Sequence, residues 1–222
     1  MALLRGRNGM LVAGAALLAF GAIFTAVKAR RSDGVDIAIT LRLQARQHKS
    51  LATLMEVVSW PGFPPQSRVI PPLIISTLVV MRMPTEAFFQ GLAWGTAGVA
   101  TVVKGFVQRP RPLPEQVRVV LAPLGGSSFP SGHVLTYVGT YGFAAFIVYT
   151  VVRPPQVRWP LTIGLLGLVG GVGPSRIYQG HHWPTDVAAS YLLGMSYLIG
   201  LIALYRRVKG RPGVELGAPI AE

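Results

Sequence analysis

Residues 9–27, 69–81, 87–103, 134–152, 161–172 and 187–205 are six apolar runs, and none of them contains a single acidic or basic side chain. A chain of 222 residues, 51% hydrophobic and only 13% charged, has too little polar surface to bury all six runs in an ordinary soluble core. In lipid the backbone must satisfy its own hydrogen bonds, which a helix does within one segment. Uninterrupted runs of this length suit helices. The expected fold is therefore all-α, a polytopic membrane bundle of six transmembrane helices forming one domain over residues 1–222. The first run follows Arg5 and Arg7 in the manner of a signal peptide, but its length and its basic C-terminal flank favour an uncleaved first membrane helix.

Between the first two runs, residues 36–58 set Ile37, Leu41, Leu51, Leu54 and Met55 among Arg42, Arg46, His48 and Lys49. That spacing predicts an amphipathic helix lying on the interface. The following Ser59-Trp60-Pro61-Gly62-Phe63-Pro64-Pro65 breaks it. Pro71 and Pro72 fit the second run only in its first turn. The fifth run is about 12 residues, roughly 18 Å at the helical rise, against a hydrocarbon core of about 30 Å. Arg176, just beyond it, is expected level with the lipid headgroups or below them.

Lys and Arg number 21 against 8 Asp and Glu, a formal charge of +13. Such an excess suits nucleic acid, anionic lipid or a phosphorylated substrate, and the hydropathy excludes nucleic acid. With a cytoplasmic N-terminus, Arg82, Arg153, Arg158, Arg206, Arg207, Lys209 and Arg211 all fall inside, as the positive-inside rule prefers. Lys28, Arg30 and Arg31 are the exception. In this topology the segments around Lys104, Ser131 and Arg176 emerge together on the extracytoplasmic face. The chain has no cysteine, so neither a disulfide nor a thiolate metal site exists.

Those segments hold the unusual polar residues. Lys104, Arg109 and Arg111 lie within eight residues of one another; they could be a basic membrane flank, but that sign is wrong for the outer face, and Arg forks and Lys point charges are common phosphate ligands. Ser127-Ser128-Phe129-Pro130-Ser131-Gly132-His133 opens the fourth run. It reads as a helix start, whose free N–H groups form an anion site, with Gly132 admitting a close ligand. Next, Ser175-Arg176 is followed by His181-His182 and Asp186. His182 and Asp186, four apart, would share a helix face, and the carboxylate could orient the imidazole and free its other nitrogen as a nucleophile. An ion pair capping the last span is the plainer alternative. His181 lacks that spacing. His133, His181, His182 and Asp186 could in principle ligate zinc, but no second carboxylate or His-Glu-x-x-His pattern accompanies them, so no metal or other cofactor is expected.

Lys104-x6-Arg111-Pro112, Pro130-Ser131-Gly132-His133 and Ser175-Arg176-x5-His182-x3-Asp186 together resemble the three-part signature of the type-2 phosphatidic acid phosphatase superfamily, over a motif core of 104–186. The resemblance implies a metal-independent membrane phosphatase in which Lys104, Arg111 and Arg176 bind phosphate oxygens with Ser131 and Gly132. It further implies that His182 attacks phosphorus to give a phosphohistidine, Asp186 orients it, and His133 protonates the leaving oxygen. Ser175 matches the signature without a clear role. The expected partners are a phospholipid or polyprenyl phosphate substrate (undecaprenyl diphosphate, phosphatidylglycerol phosphate or phosphatidic acid) and the membrane itself, in a prokaryotic plasma membrane. A lipid phosphotransferase shares the same intermediate, and a non-catalytic phospholipid-binding subunit would need only the cations. Nothing in the chain specifies an oligomeric state.

Overall fold

The computed structural model describes residues 7–120, 122 and 124–210. Arg5, Arg211 and the rest of the basic tail lie outside the described residues. The described residues contain α-helices, one short 3-10 turn and loops, and no strand. The helices are α1 (Arg7–Lys28), α2 (Asp33–Gln44), α3 (Lys49–Ser59), α4 (Gln66–Val80), α5 (Pro84–Trp94), α6 (Thr96–Phe106), α7 (Gly132–Val151), α8 (Pro155–Tyr178) and α9 (Pro184–Lys209).

The all-helical expectation holds, but the span count does not. Four described helices, α1, α7, α8 and α9, are long and apolar enough to cross a membrane, rather than six. The second expected span is the 15-residue α4, which starts at Gln66 and so carries Pro71 and Pro72 inside it rather than in its first turn. There each proline removes an amide donor from the helical ladder. The third is broken at Gly95 into α5 and α6, with Thr96 Oγ1 donating to Ala93 O at 2.9 Å where the helix yields. These short helices still travel the height of the bundle. Glu86, in the first turn of α5, bonds Tyr205 and Lys209 at the end of α9, whereas Lys104 in α6 lies at the opposite end beside the start of α7.

Two further expectations fail. The fifth span is not short: α8 has 24 residues, because Pro155 provides a preformed N1 and the helix runs on through Pro174, so Arg176 sits in its last turn. Gly180, at φ 70°, turns the chain sharply against the Arg118 carbonyl, where a side chain would collide with backbone. The single interfacial helix over 36–58 is two helices, α2 and α3, parted at Ala45 to His48. The buried face of α2 is polar, Asp36, Thr40 and Gln44, so it docks into the bundle by hydrogen bonds instead of floating on an apolar face.

α7 is the central post, with thirteen buried residues and neighbours α5, α6, α8 and α9. At the end away from Lys104, Phe89, Phe143, Phe146 and Tyr205 pack edge to face. α1 lies along α9 and exposes Leu11, Val12, Leu17 and Leu18 on its outer side, as a lipid-facing helix does. The C-terminal ends of α1 and α8 and the N-terminal ends of α7 and α9 thus meet at one end of the bundle.

Candidate active site

At that end the described residues of the connection from α6 to α7 fold over the helix termini and are held largely by backbone carbonyls. Ser128 N donates to Arg109 O at 2.9 Å, Ser128 Oγ to Pro110 O at 3.1 Å, and Trp183 Nε1 to Pro110 O at 3.1 Å. Between this loop, α4, α6 and α7 opens a cavity of 370 Å³ lined by Lys104, Arg111, Gly132, His133 and His182. Residues from all three sequence clusters therefore share one wall. Ser131, Arg176 and Asp186 are fully buried beside it, and Ser175 turns away to meet Ser59.

The chemistry of its neighbours defines the state of His182. Nδ1 lies 2.7 Å from Ser128 O, which can only accept, and Nε2 lies 3.3 Å from Arg111 Nη1, which can only donate. Nδ1 therefore carries the hydrogen and Nε2 the lone pair, facing the cavity. Burial and the nearby arginines hold this imidazole at a pKa of about 4, against the pull of Asp186, so it is neutral at neutral pH. His182 precedes α9, so the expected shared helix face is absent. Asp186 instead caps the helix, accepting the Trp183 N–H at 2.9 Å, and its nearer oxygen is 3.7 Å from His182 Nδ1.

The charge of Asp186 goes mainly to Arg109. Nη1 of that arginine is 2.6 Å from Asp186 Oδ1, and Nη2 is 2.6 Å from Asp36 Oδ2, with both carboxylates fully buried. Asp36 also accepts from Thr185 N at 2.9 Å and Thr185 Oγ1 at 2.7 Å. The two carboxylates raise the pKa of Arg109 despite burial. Arg109 is thus a structural centre, ion-paired where Lys104 and Arg111 are not. Asp36 went unnoticed in the sequence, although a polar i, i+4, i+8 stripe in a chain with 8 acidic residues was a usable signal.

Arg176 has the opposite surroundings. Its guanidinium is fully buried, donating to Ser59 Oγ at 2.9 Å, to Gln179 Oε1 at 3.0 Å and to His181 Nδ1, with the Phe63 ring 4.8 Å away over its face. His181 Nε2 donates to Val120 O at 2.6 Å, which leaves Nδ1 as the acceptor for Arg176. His181 therefore holds an arginine, and burial with that neighbouring cation keeps its pKa at about 4. Phe63, met in the sequence only as part of a helix break, also stands edge-on to His133 at 4.8 Å. Gly62 beside it lies so close that any side chain would strike the His133 ring.

Lys104, which donates to Ser127 O, Arg111 and Arg176 have no carboxylate within ion-pairing distance among the described residues. Arg111 is held instead by carbonyls, His181 O at 2.8 Å and Gly125 O at 3.1 Å, and burial lowers its pKa. Ser131 Oγ, His133 Nε2 and the Nε atoms of Arg111 and Arg176 are buried with no hydrogen-bond partner among the described residues. Ser131 is the N-cap of α7 and spends its amide on Ser190 Oγ at 2.8 Å. No three His, Cys, Asp or Glu side chains among the described residues converge as a metal site.

A family profile described as the PAP2 superfamily matches residues 87–209, more than half of the chain and all three clusters. The chain belongs to the PAP2 superfamily. Among PAP2 relatives, it is 31% identical over 134 residues to the undecaprenyl-diphosphatase BcrC of Bacillus subtilis, an alignment covering 58% of this chain and 63% of that protein. It is 31% identical over 98 residues to the bacitracin transport permease protein BcrC of Bacillus licheniformis, covering 38% and 43%. The chain therefore spans less than two thirds of the length of either relative. The crystal structure of a transmembrane PAP2 type phosphatidylglycerolphosphate phosphatase from Bacillus subtilis superposes with TM-score 0.77 at 22% identity, over 89% of this chain and 97% of that one. Aquifex aeolicus LpxE superposes with TM-score 0.56 at 24% identity, over 75% and 93%. This PAP2 chain is accordingly a helical integral membrane protein with the fold of those structures. The α2–α4 segment, including Asp36, Ser59, Gly62 and Phe63, lies outside the matched residues yet packs directly on the site.

Proposed function

We propose that this protein is a membrane phosphatase that removes a terminal phosphoryl group from a lipid phosphomonoester or diphosphate through a phosphohistidine. One observation carries this reading: among the described residues three cations have no carboxylate partner, Lys104 and Arg111 lining the cavity that His182 also lines and Arg176 fully buried beside it. An unpaired buried charge is costly, and an anion in the cavity relieves that cost. Preorganised positive charge at the transferring group is also the largest catalytic term open to such a site.

In the proposed reaction the Nε2 lone pair of His182 attacks phosphorus. The bond from phosphorus to the leaving oxygen breaks, and His133, charged as imidazolium alongside the bound phosphate anion, delivers a proton to that oxygen and becomes neutral. Water then attacks the phosphohistidine, giving a proton to His133, and the N–P bond breaks to release phosphate. Ser128 O and, at longer range, Asp186 compensate the charge that His182 gains through Nδ1–H. Ser131 Oγ and the Gly132 N–H join the three cations on the phosphate oxygens. Ser175 acts through Ser59 on Arg176. The described chain works as one domain, its core of 104–186 completed by α2 to α4.

The face of the membrane follows from charge. Arg82, Arg153, Arg158, Arg206, Arg207 and Lys209 gather at the end away from the site, which we assign to the cytoplasm. Lys28 and Arg30, which opposed that orientation in the sequence, line a 620 Å³ cavity with Arg111 and so belong with the site. The active site then faces the extracytoplasmic side, and the bacterial relatives favour a bacterial plasma membrane. The deciding experiment is phosphate release by purified protein from polyprenyl diphosphate, phosphatidylglycerol phosphate and phosphatidic acid, with no acceptor added and His182→Ala as blank. Release from at least one lipid, lost in folded His182→Ala, is expected. Substantial activity in that variant removes His182 as nucleophile, and turnover that requires an alcohol acceptor makes the protein a phosphotransferase.

A further inference from the structure

The cavity that His182 lines has a third lining cation, outside all three sequence clusters. Arg68, in the first turn of α4, lines it together with Lys104, Arg111 and His133, and no acidic residue is among the described residues that line it. Its side chain is exposed and makes no hydrogen bond or ion pair among the described residues, and it lies outside the residues matched to the family. Ser67, a hydroxyl donor, lines the cavity beside it. Trp94, Ala97 and Thr136 continue the same wall away from the phosphate-binding end, past the break between α5 and α6. The cavity therefore runs from Lys104 and Arg111 beside His182 to a separate cation and then to mostly apolar side chains.

We propose that Arg68 forms a second anion subsite that receives the phosphoryl group remaining on the lipid when the substrate is a lipid diphosphate. This rests on the phosphatase reading above and names its substrate class. A monophosphate is matched by Lys104, Arg111 and Arg176. A diphosphate brings a further charged group, which must lie between the transferred phosphoryl and the hydrocarbon chain, and Arg68 is the cation in the lining not already engaged near His182. As the terminal phosphorus moves to His182 Nε2, the bond to the bridging oxygen breaks and its electrons pass to the phosphate left on the lipid. Arg68 offsets that growing charge with charge-assisted hydrogen bonds. For a monophosphate the same oxygen leaves as an alcohol and Arg68 has no anion to hold.

The test compares wild type, Arg68→Ala and Arg68→Lys, each full length in a nonionic detergent without added lipid, on the monophosphate and diphosphate of one polyprenyl alcohol. All three proteins keep the same thermal midpoint, since the side chain holds nothing. Arg68→Ala loses about tenfold or more in kcat/KM on the diphosphate, the scale of one charged hydrogen bond to phosphate, and changes less than about twofold on the monophosphate; Arg68→Lys recovers much of the loss. Equal losses on both substrates, or none on the diphosphate, overturn the subsite. So does an effect that emerges only when phosphatidylglycerol is added, which would assign Arg68 to a neighbouring lipid headgroup. Thermal stabilisation by inorganic pyrophosphate and by phosphate separates this inference from the one beneath it. If wild type turns over neither lipid, the phosphatase reading fails, but a pyrophosphate preference that Arg68→Ala abolishes still supports the subsite, and one that Arg68→Ala leaves intact sinks it.

Discussion

Replacing Arg109 and Arg176 by methionine, one at a time, should affect stability very differently although both arginines are buried. Arg109 bridges Asp36 and Asp186 at 2.6 Å each and also donates to Thr185 Oγ1 at 2.8 Å and Ser32 Oγ at 3.1 Å. Its loss strands two fully buried carboxylates side by side, and breaking a buried pair in this way costs about 3–5 kcal/mol. At ~2–4 °C per kcal/mol for a domain of this size, the thermal midpoint falls by roughly 6–20 °C. Arg176 is surrounded by neutral acceptors and a ring. Removing it leaves those acceptors unpaired at about 1–3 kcal/mol for each buried group, but it also removes an uncompensated buried charge whose desolvation costs several kcal/mol. These opposing terms cancel to within about 2 kcal/mol, so Arg176→Met stays near wild type in stability while losing phosphate binding. The assay is the thermal midpoint of each purified variant in one detergent at neutral pH, with and without phosphate. A fall in Arg176→Met equal to or larger than that in Arg109→Met would refute the division of labour between the two arginines.

Two further outcomes follow from the histidines. Both His181 and His182 are held at about 4, below an ordinary 6.5, so between those values the unfolded chain binds protons that the folded chain does not; their contribution to stability is intact above pH 6.5 and declines as the pH falls toward 4, which a series of thermal midpoints across that range would register as a downward slope. His181→Asn keeps an acceptor where Nδ1 meets Arg176 and His181→Leu does not, so inhibition by inorganic phosphate should weaken about tenfold in the leucine variant and far less in the asparagine one, and equal weakening in both would mean that His181 does not act through Arg176.

Much of the site could be read from the chain because its apolar runs carry no charge and the ionisable residues cluster at their ends. Lys104, Arg111, His133 and His182 stood out against that background and do share a cavity. What stayed hidden depends on partners that a linear sequence does not announce. Arg109 looked like an accessory to Arg111 two residues away, whereas its partners Asp36 and Asp186 lie 73 and 77 positions off. The group nearest His182 Nδ1 is a backbone carbonyl, which every residue carries. Phe63 appeared as one member of a proline-rich break, and only the fold lays its ring over Arg176 and beside His133. The two expected spans that are not long helices have a similar cause. Apolar composition marks residues 69–81 and 87–103 as membrane-compatible, but continuity depends on where Pro71, Pro72 and Gly95 fall in the helical ladder.

The Arg109 junction also imposes an order on assembly. Its three principal charges sit at positions 36, 109 and 186, so during synthesis Asp36 must wait for more than seventy residues before its cation is made, and the second carboxylate arrives only with the start of α9. Until then His182 lacks the helix cap that follows it and α1 lacks the neighbour it packs along. The helix α9 is therefore the one that closes the site, and a nascent chain stalled before it has Lys104, Arg111 and Arg176 but no neutralised centre to hold them in place.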